Sequence, residues 1–290
     1  MNSNAQVVPS VRIATAINTM QPSERRVIDL IVADPALVVE STAQELAERA
    51  AVARSTVIRA CQSLGYRGYP QLRVALAAEL AQQVEPAQDY GTSALGRIRS
   101  GIDTLAASLP QIASVLVESE VDEAVRCVVE ARRVLVLASG LSAPLASDLA
   151  MRLTATGRPA DVVADAIGQQ IAARQLVAGD ACLIVSGSGS NESSLKVARA
   201  AAQGGAVVIA LTSFARSPLT ELSDISLVIA PAATSFRREL EHSSRVAHAI
   251  FIEAFVDAVG SALGAESARV RGQVLEILSD NLAEADASRE

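Results

Sequence analysis

The 290-residue chain carries 25 Lys and Arg against 32 Asp and Glu, a formal net charge of -7, with 50% hydrophobic and 20% charged residues. That balance excludes wholesale disorder and a uniformly basic coat for nucleic acid, and the length predicts two domains. With no Trp and 2% aromatic residues, stacking recognition of single strands is excluded too, so any nucleic-acid partner is a duplex.

No apolar run approaches bilayer length, since the longest, such as Val134 to Ala138 and Ala206 to Leu211, are strand-sized. Met1 to Ser10 is polar and lacks the charged-then-apolar order of a signal peptide, which predicts a cytoplasmic protein with no membrane partner. Cys61, Cys127 and Cys182 are odd in number, widely spaced and set in apolar patterns. They read as core thiols, and neither a metal nor a cofactor is expected.

Residues 10 to 80 read as consecutive short helices. Ile13 and Ile17 recur at helical spacing in the first, and Pro22-Ser23-Glu24 opens a second, carrying Val27, Ile28, Leu30 and Ile31 and stopping near Asp34-Pro35. Ser41 is the expected cap of a third helix, with Gln44 in the capping-box position and Leu46 and Ala47 facing its core. After a turn at Ala51-Val52-Ala53, a further helix runs from Arg54 to Leu64 and ends at Gly65.

This spacing is that of a helix-turn-helix, with Val52, Val57, Ile58 and Leu64 turned inward and Arg54, Ser55, Thr56 and Arg59 on the leading face that meets base edges. Any helical hairpin shows similar spacing. What favours DNA is a basic island: between Arg49 and Ala78 there is no Asp or Glu, while Arg49, Arg54, Arg59, Arg67 and Arg73 all fall in that window. Arg67 and Arg73 are the expected phosphate clamps. Gly65 to Pro70 closes the unit and a last helix follows, so residues 1–81 form an all-α DNA-binding domain, with residues 82–91, including Pro86, as a polar linker.

From Thr92 to Val129 the pattern is again helical, interrupted at Pro110. After Arg132 it alternates: Val134 to Ala138, Asp161 to Ala164, Ala181 to Val185, Ala206 to Leu211 and Ile225 to Ile229 read as strands, with helical segments between. Near-continuous apolar strands separated by helices predict an α/β domain over 92–290, a five-stranded parallel sheet flanked by helices. Ligands of such sheets bind beyond the carboxyl ends of the strands.

Two of those ends are rich in Ser and Gly, at Ser139-Gly140-Leu141-Ser142 and at Ser186 to Ser190. The second opens a helix, so free backbone N–H groups and the positive end of the helix dipole point out of it, and its glycines let an anion come close. Ser186, Ser188 and Ser190 add neutral donors, as suits a phosphate monoester that is held rather than transformed. The alternative is an ordinary strand-to-helix turn, because Ser and Gly are common turn and cap residues.

Several motifs, in this order and spacing, are together specific: Pro22-Ser23-Glu24-Arg25, Ser41-Thr42-Ala43-Gln44-Glu45-Leu46-Ala47, Ser55-Thr56-Val57-Ile58-Arg59-Ala60-Cys61, Leu64-Gly65-Tyr66-Arg67-Gly68-Tyr69, and Phe236-Arg237 with Ser244-Arg245. The combination resembles the RpiR/MurR family of bacterial transcription regulators over nearly the whole chain. The resemblance implies an N-terminal helix-turn-helix joined to a C-terminal sugar isomerase (SIS) fold, a double-stranded operator and a phosphosugar effector as partners, and a homodimer or homotetramer. It also implies that Ser142, Ser186, Ser188, Ser190 and Asn191 hold the phosphate, with Glu239 as a further effector contact. The site departs from the family pattern at Ala138, Asn191 and Ser193, where Gly, Thr and Glu are frequent, and the turn has Ala51 where Gly is usual.

Related SIS proteins include isomerases, in which a Glu or His moves a proton beside the sugar carbonyl. Glu239, Glu241, His242 and His248 are the candidates for such a base, the first three on or beside an expected helix from Arg238 to Val259. A helix of that length places charged residues on its solvated face, and His248 stands among Val246, Ala247 and Ala249, where it packs. A DNA reader fused to a sugar site has a use for binding without turnover. The expectation is therefore a regulator with no catalytic residue, the alternative being a phosphosugar isomerase with an accessory helical domain.

Overall fold

The computed structural model describes residues 7–82, 90–230 and 245–282. The amino-terminal part is helical: α1 (Pro9–Ala16), α2 (Pro22–Ala33), α3 (Pro35–Glu40), α4 (Ala43–Arg49), α5 (Arg54–Ser63) and α6 (Tyr69–Gln82). Its core is built by Val27, Ile28, Ile31, Val38, Leu46, Val57, Cys61 and Leu72, each at most 1% exposed. Burial pushes the Cys61 thiol up to about 12, in keeping with an inert core thiol.

Two local expectations change. Asp34-Pro35 ends one helix and starts another: proline suits the first turn of α3, and the Asp34 carboxylate accepts from Leu37 N at 2.9 Å. Ser41 is not the cap of α4, because its hydroxyl donates back to Leu37 O at the end of α3. Thr42 takes that place, in a reciprocal box with Glu45: Thr42 Oγ1 accepts from Glu45 N, and the Glu45 carboxylate accepts from Thr42 N at 2.7 Å. That backbone hydrogen bond holds the Glu45 carboxyl below the usual range.

Two helices, α7 (Ala94–Ile112) and α8 (Glu118–Glu130), lead into the α/β part: β1 (Val134–Ala138), α9 (Ala143–Ala155), β2 (Asp161–Val162), α10 (Ala166–Ala173), β3 (Ala181–Val185), α11 (Glu192–Gln203), β4 (Val207–Thr212), β5 (Ile225–Val228), α12 (Val246–Leu263) and α13 (Ala265–Asn281). All five strands are parallel, in the order β2-β1-β3-β4-β5. Alternate residues pack to opposite faces: Val134, Val136, Leu183 and Leu211 against α8, α9 and α12, and Leu135, Leu137, Cys182 and Ala210 against α10 and α11. A covered sheet of this kind explains why the strands read as unbroken apolar runs.

By length and composition α12 is apolar enough to cross a bilayer, which corrects the reading that no segment is. It contains Glu253 and Asp257, and it packs against α8 and α9 through Phe251, Ile252, Phe255 and Val259. The expected start of this helix at Arg238 lies outside the described residues. Pro110 does not break α7, which continues to Ile112.

Candidate functional site

In the helical part, α4 and α5 are joined by a turn whose backbone is fixed by Val52 N donating to Ala47 O at 2.9 Å. Ala51 has φ of +50°, the left-handed region that usually takes Gly. Arg54, Ser55 and Arg59 are exposed on α5, as expected. Thr56 is not: it is buried at 4%, and its Oγ1 accepts from Arg59 Nη2 at 3.2 Å, so it positions Arg59 instead of presenting itself. Ile58, expected inward, is 37% exposed. The inward seam is Thr56, Val57, Ala60 and Cys61, which leaves Ile58 on the opposite side.

Arg54, Ile58, Arg67, Tyr69 and Arg73 line one open groove of about 570 Å³. Tyr69 anchors its wall by donating to Val38 O at 2.7 Å and Ser41 O at 3.0 Å. Arg49, Arg54, Arg59, Arg67 and Arg73 are all exposed, and none is in an ion pair among the described residues. An exposed set of guanidinium groups beside a groove is the charge pattern that suits a phosphate backbone.

In the α/β part, β1 and β3 are neighbours and Ala138 pairs with Val185, so Ser139 and Ser186 leave the sheet side by side. The connection from β1 runs out toward β2 on one side and that from β3 toward β4 on the other, a topological switch point with its crevice at the strands' carboxyl ends. Ser142 ends a 3-10 turn and is 3% exposed. Asn191 caps α11 by accepting from Ser194 N at 3.2 Å, and Ser190 N donates to Ser188 Oγ at 3.3 Å. Gln169, 2% exposed, donates to Ala138 O at 2.8 Å and Val163 O at 2.9 Å and so fixes the end of β1.

The Ser/Gly loop is fastened to the segment after β4. Ser213 N donates to Gly187 O and Leu219 N to Gly189 O, both at 3.0 Å. Gly189 has φ of +61°, and a Cβ there would fall 2.2 Å from Ser217 Oγ, so no other residue fits. Four buried hydroxyls, on Ser139, Ser193, Ser194 and Ser213 at or after these strand ends, have no hydrogen-bond partner among the described residues. Buried hydroxyls normally find one, so these make this end of the sheet a candidate for a polar ligand.

One residue not singled out for this site in the sequence joins it. Arg245, at the head of α12, places its guanidinium 3.2 Å from where a Gly187 Cβ would stand, and its Nε lies 3.5 Å from Ser142 Oγ. It therefore touches both Ser/Gly strand ends. The only sequence signal was its pairing with Ser244 in a family motif. Glu239, Glu241 and His242 lie outside the described residues. His248 is fully buried with neither ring nitrogen partnered among the described residues, and burial, with Arg245 adding to it, pushes its pKa down to about 3. A neutral, enclosed imidazole of that kind is poorly suited to act as a base.

The two parts touch: Ala215 N donates to Thr15 O and Asn18 Nδ2 to Arg216 O, each at 3.1 Å, which seats α1 on the segment that also holds the Ser/Gly loop.

A family model described as the helix-turn-helix domain of the rpiR family matches residues 10–83, and one described as the SIS domain matches residues 128–256. The chain is 30% identical over 223 residues to the HTH-type transcriptional regulator HexR of Pseudomonas aeruginosa, covering 75% of this chain and 77% of that one. Among solved structures, the Vibrio vulnificus NanR protein complexed with ManNAc-6P matches with a TM-score of 0.59 and 24% identity over 95% of this chain and 99% of that one. The sugar isomerase domain of an RpiR transcription factor from Sphaerobacter thermophilus matches with a TM-score of 0.51 and 22% identity, covering 62% and 96%.

Proposed function

Because this chain belongs to the rpiR family of transcriptional regulators, with a helix-turn-helix joined to a SIS domain, we propose that a phosphosugar held at the β1 and β3 strand ends controls its hold on operator DNA. The observation that carries the sugar half is the junction of two Ser/Gly loops at the switch point of the sheet, where the buried hydroxyls of Ser139 and Ser213 have no partner among the described residues. Ser142, Ser186, Ser188, Ser190 and Asn191 supply hydroxyl, amide and backbone donors to the phosphate, and Glu239, outside the described residues, is kept as the further effector contact that the family resemblance implies. The ManNAc-6P bound by NanR, a protein of the same fold, belongs to this ligand class.

On the DNA side, Arg54, Ser55 and Arg59 face the bases, with Thr56 orienting Arg59, while Arg67 and Arg73 clamp phosphates. The sugar site binds without turnover: the one described candidate base, His248, is buried and neutral. Such a regulator acts in the cytoplasm as a homo-oligomer. The exposed apolar seam of α7, with Leu95, Ile98 and Ile102 each 55–59% exposed, supports a second copy as the oligomeric partner.

A panel of phosphosugars tests the effector claim. A ligand present at a hundredfold excess over its dissociation constant stabilises the native state by about 2.7 kcal/mol, an upward shift in melting temperature that is easily read. Silence across the panel counts against the site, and interconversion of aldose and ketose phosphates at enzyme rates would establish the isomerase reading in its place.

A further inference from the structure

The donors assigned so far at the Ser/Gly crevice are neutral: hydroxyls, an amide and backbone N–H groups. A phosphate monoester carries between one and two negative charges near neutral pH, its second ionisation lying at about pH 6. Charge-assisted hydrogen bonds are shorter and roughly twice as strong as neutral ones, and guanidinium groups favour phosphate because their fork donates in parallel. Arg245 is placed for this role. Its guanidinium lies against Gly187, where any Cβ would come within 3.2 Å of Cζ and Nε, and its Nε reaches Ser142 Oγ at 3.5 Å. The long Arg245–Ser142 contact is weak enough to be exchanged for a better acceptor.

We propose that Arg245 is the cationic member of the effector site, donating to the phosphate across Gly187 and passing Ser142 to the ligand as it does so. Gly187 is then glycine because the guanidinium and the phosphate must meet over a bare backbone. The proposal rests on the anion-site reading above, and the test separates the two.

The probe is inorganic phosphate, titrated against chloride at matched ionic strength into the full-length protein and followed by thermal shift and calorimetry. Phosphate can also dock in the arginine groove of the DNA-reading part, so Arg73→Ala serves as the control and is expected to leave the crevice response intact. Arg245→Gln should weaken phosphate binding by at least about tenfold, the consequence of losing a hydrogen bond to a charged group. Arg245→Lys should recover part of that loss, since the charge remains and the fork does not. If Arg245→Gln lowers the melting temperature without phosphate, the comparison passes to Arg245→Lys and to Gly187→Ala, which crowds the guanidinium and should also weaken binding. Wild-type affinity in Arg245→Gln, with Ser188→Ala impaired, overturns the role of Arg245 and leaves the anion site standing. No phosphate response in the wild type beyond that of the arginine groove overturns both.

Discussion

Ala51 carries a cost that its sequence position did not disclose. The turn has Ala where Gly is usual, and its φ is +50°. A residue with a Cβ pays about 1–2 kcal/mol in that region, partly offset by the chain entropy that glycine loses on folding. Ala51 is exposed, so no packing is lost on truncation, and Ala51→Gly is expected to stabilise the helical part by about 0.5–1 kcal/mol, read as a raised denaturant midpoint. His248 gives the opposite sign of lesson. Its native pKa of about 3 lies below the unfolded value of about 6.5, so between those pH values the unfolded chain binds a proton that the native chain refuses. Stability therefore falls as pH drops through that window, by at most about 1.4 kcal/mol per pH unit from this group. His248→Asn should flatten the loss of melting temperature between pH 6.5 and 5, above the range where ordinary carboxylates titrate, and an unchanged slope would show that the imidazole is accommodated when charged.

At the scale of elements, strands were the most legible. Buried runs such as Val134–Ala138 and Ala181–Val185 were placed to the residue, because a sheet covered on both faces writes itself as unbroken apolar sequence. Helix ends were less so: Asp34-Pro35 spells both a stop and a start, and adjacent Ser41 and Thr42 are equally good caps until the carbonyl of Leu37 claims one of them. On α5 the facing of Thr56 and Ile58 came out exchanged, since polarity alone put the threonine outside. Of the crevice, the two Ser/Gly ends were readable because strand-end glycines and hydroxyls are local signals. Arg245 was not, because 103 residues separate it from Ser142 and only the fold brings them together. The recognition helix has its own expectation: Arg59→Ala should cost about 1–3 kcal/mol of specific operator binding, while Arg73→Ala should weaken all duplexes alike and lower the salt dependence. Unchanged specific binding in Arg59→Ala would remove α5 from the major groove. On α7, Leu95, Ile98, Ile102, Leu105 and Leu109 recur at alternating spacings of three and four, a coiled-coil seam, yet Leu95, Ile98, Ile102 and Leu109 are 43–59% exposed. Ile102→Asp, at its centre, should shift the protein toward monomer in sedimentation without lowering the helical content of the chain.

At the scale of the molecule, the issue is how a crevice at the carboxyl ends of β1 and β3 speaks to arginines on the helical part. A ligand shifts an equilibrium only through contacts that differ between two states, and the backbone offers a short physical route for such a difference. The loop from Ser186 to Ser190 is bound through Gly187 and Gly189 to Ser213 and Leu219, and the same segment, through Ala215 and Arg216, is bound to Thr15 and Asn18 of the helical part. On the proposed reading, phosphate drawn into the loop would change the demand on Gly187, and these hydrogen bonds link that loop to α1. Arg12, on α1, donates to Leu64 O at the carboxyl end of α5 at 3.2 Å, so the seat of α1 bears on the recognition helix itself. Coupling of about 1–3 kcal/mol suffices for a regulator. Asn18→Ala removes one exposed contact of this seat and touches neither the crevice nor the basic groove. It should leave effector affinity without DNA, and DNA affinity without effector, near wild type while reducing the factor by which each alters the other. By reciprocity the reduction must be the same measured from either side, and an unaltered factor would route the signal around α1, by way of the subunit contact proposed for α7.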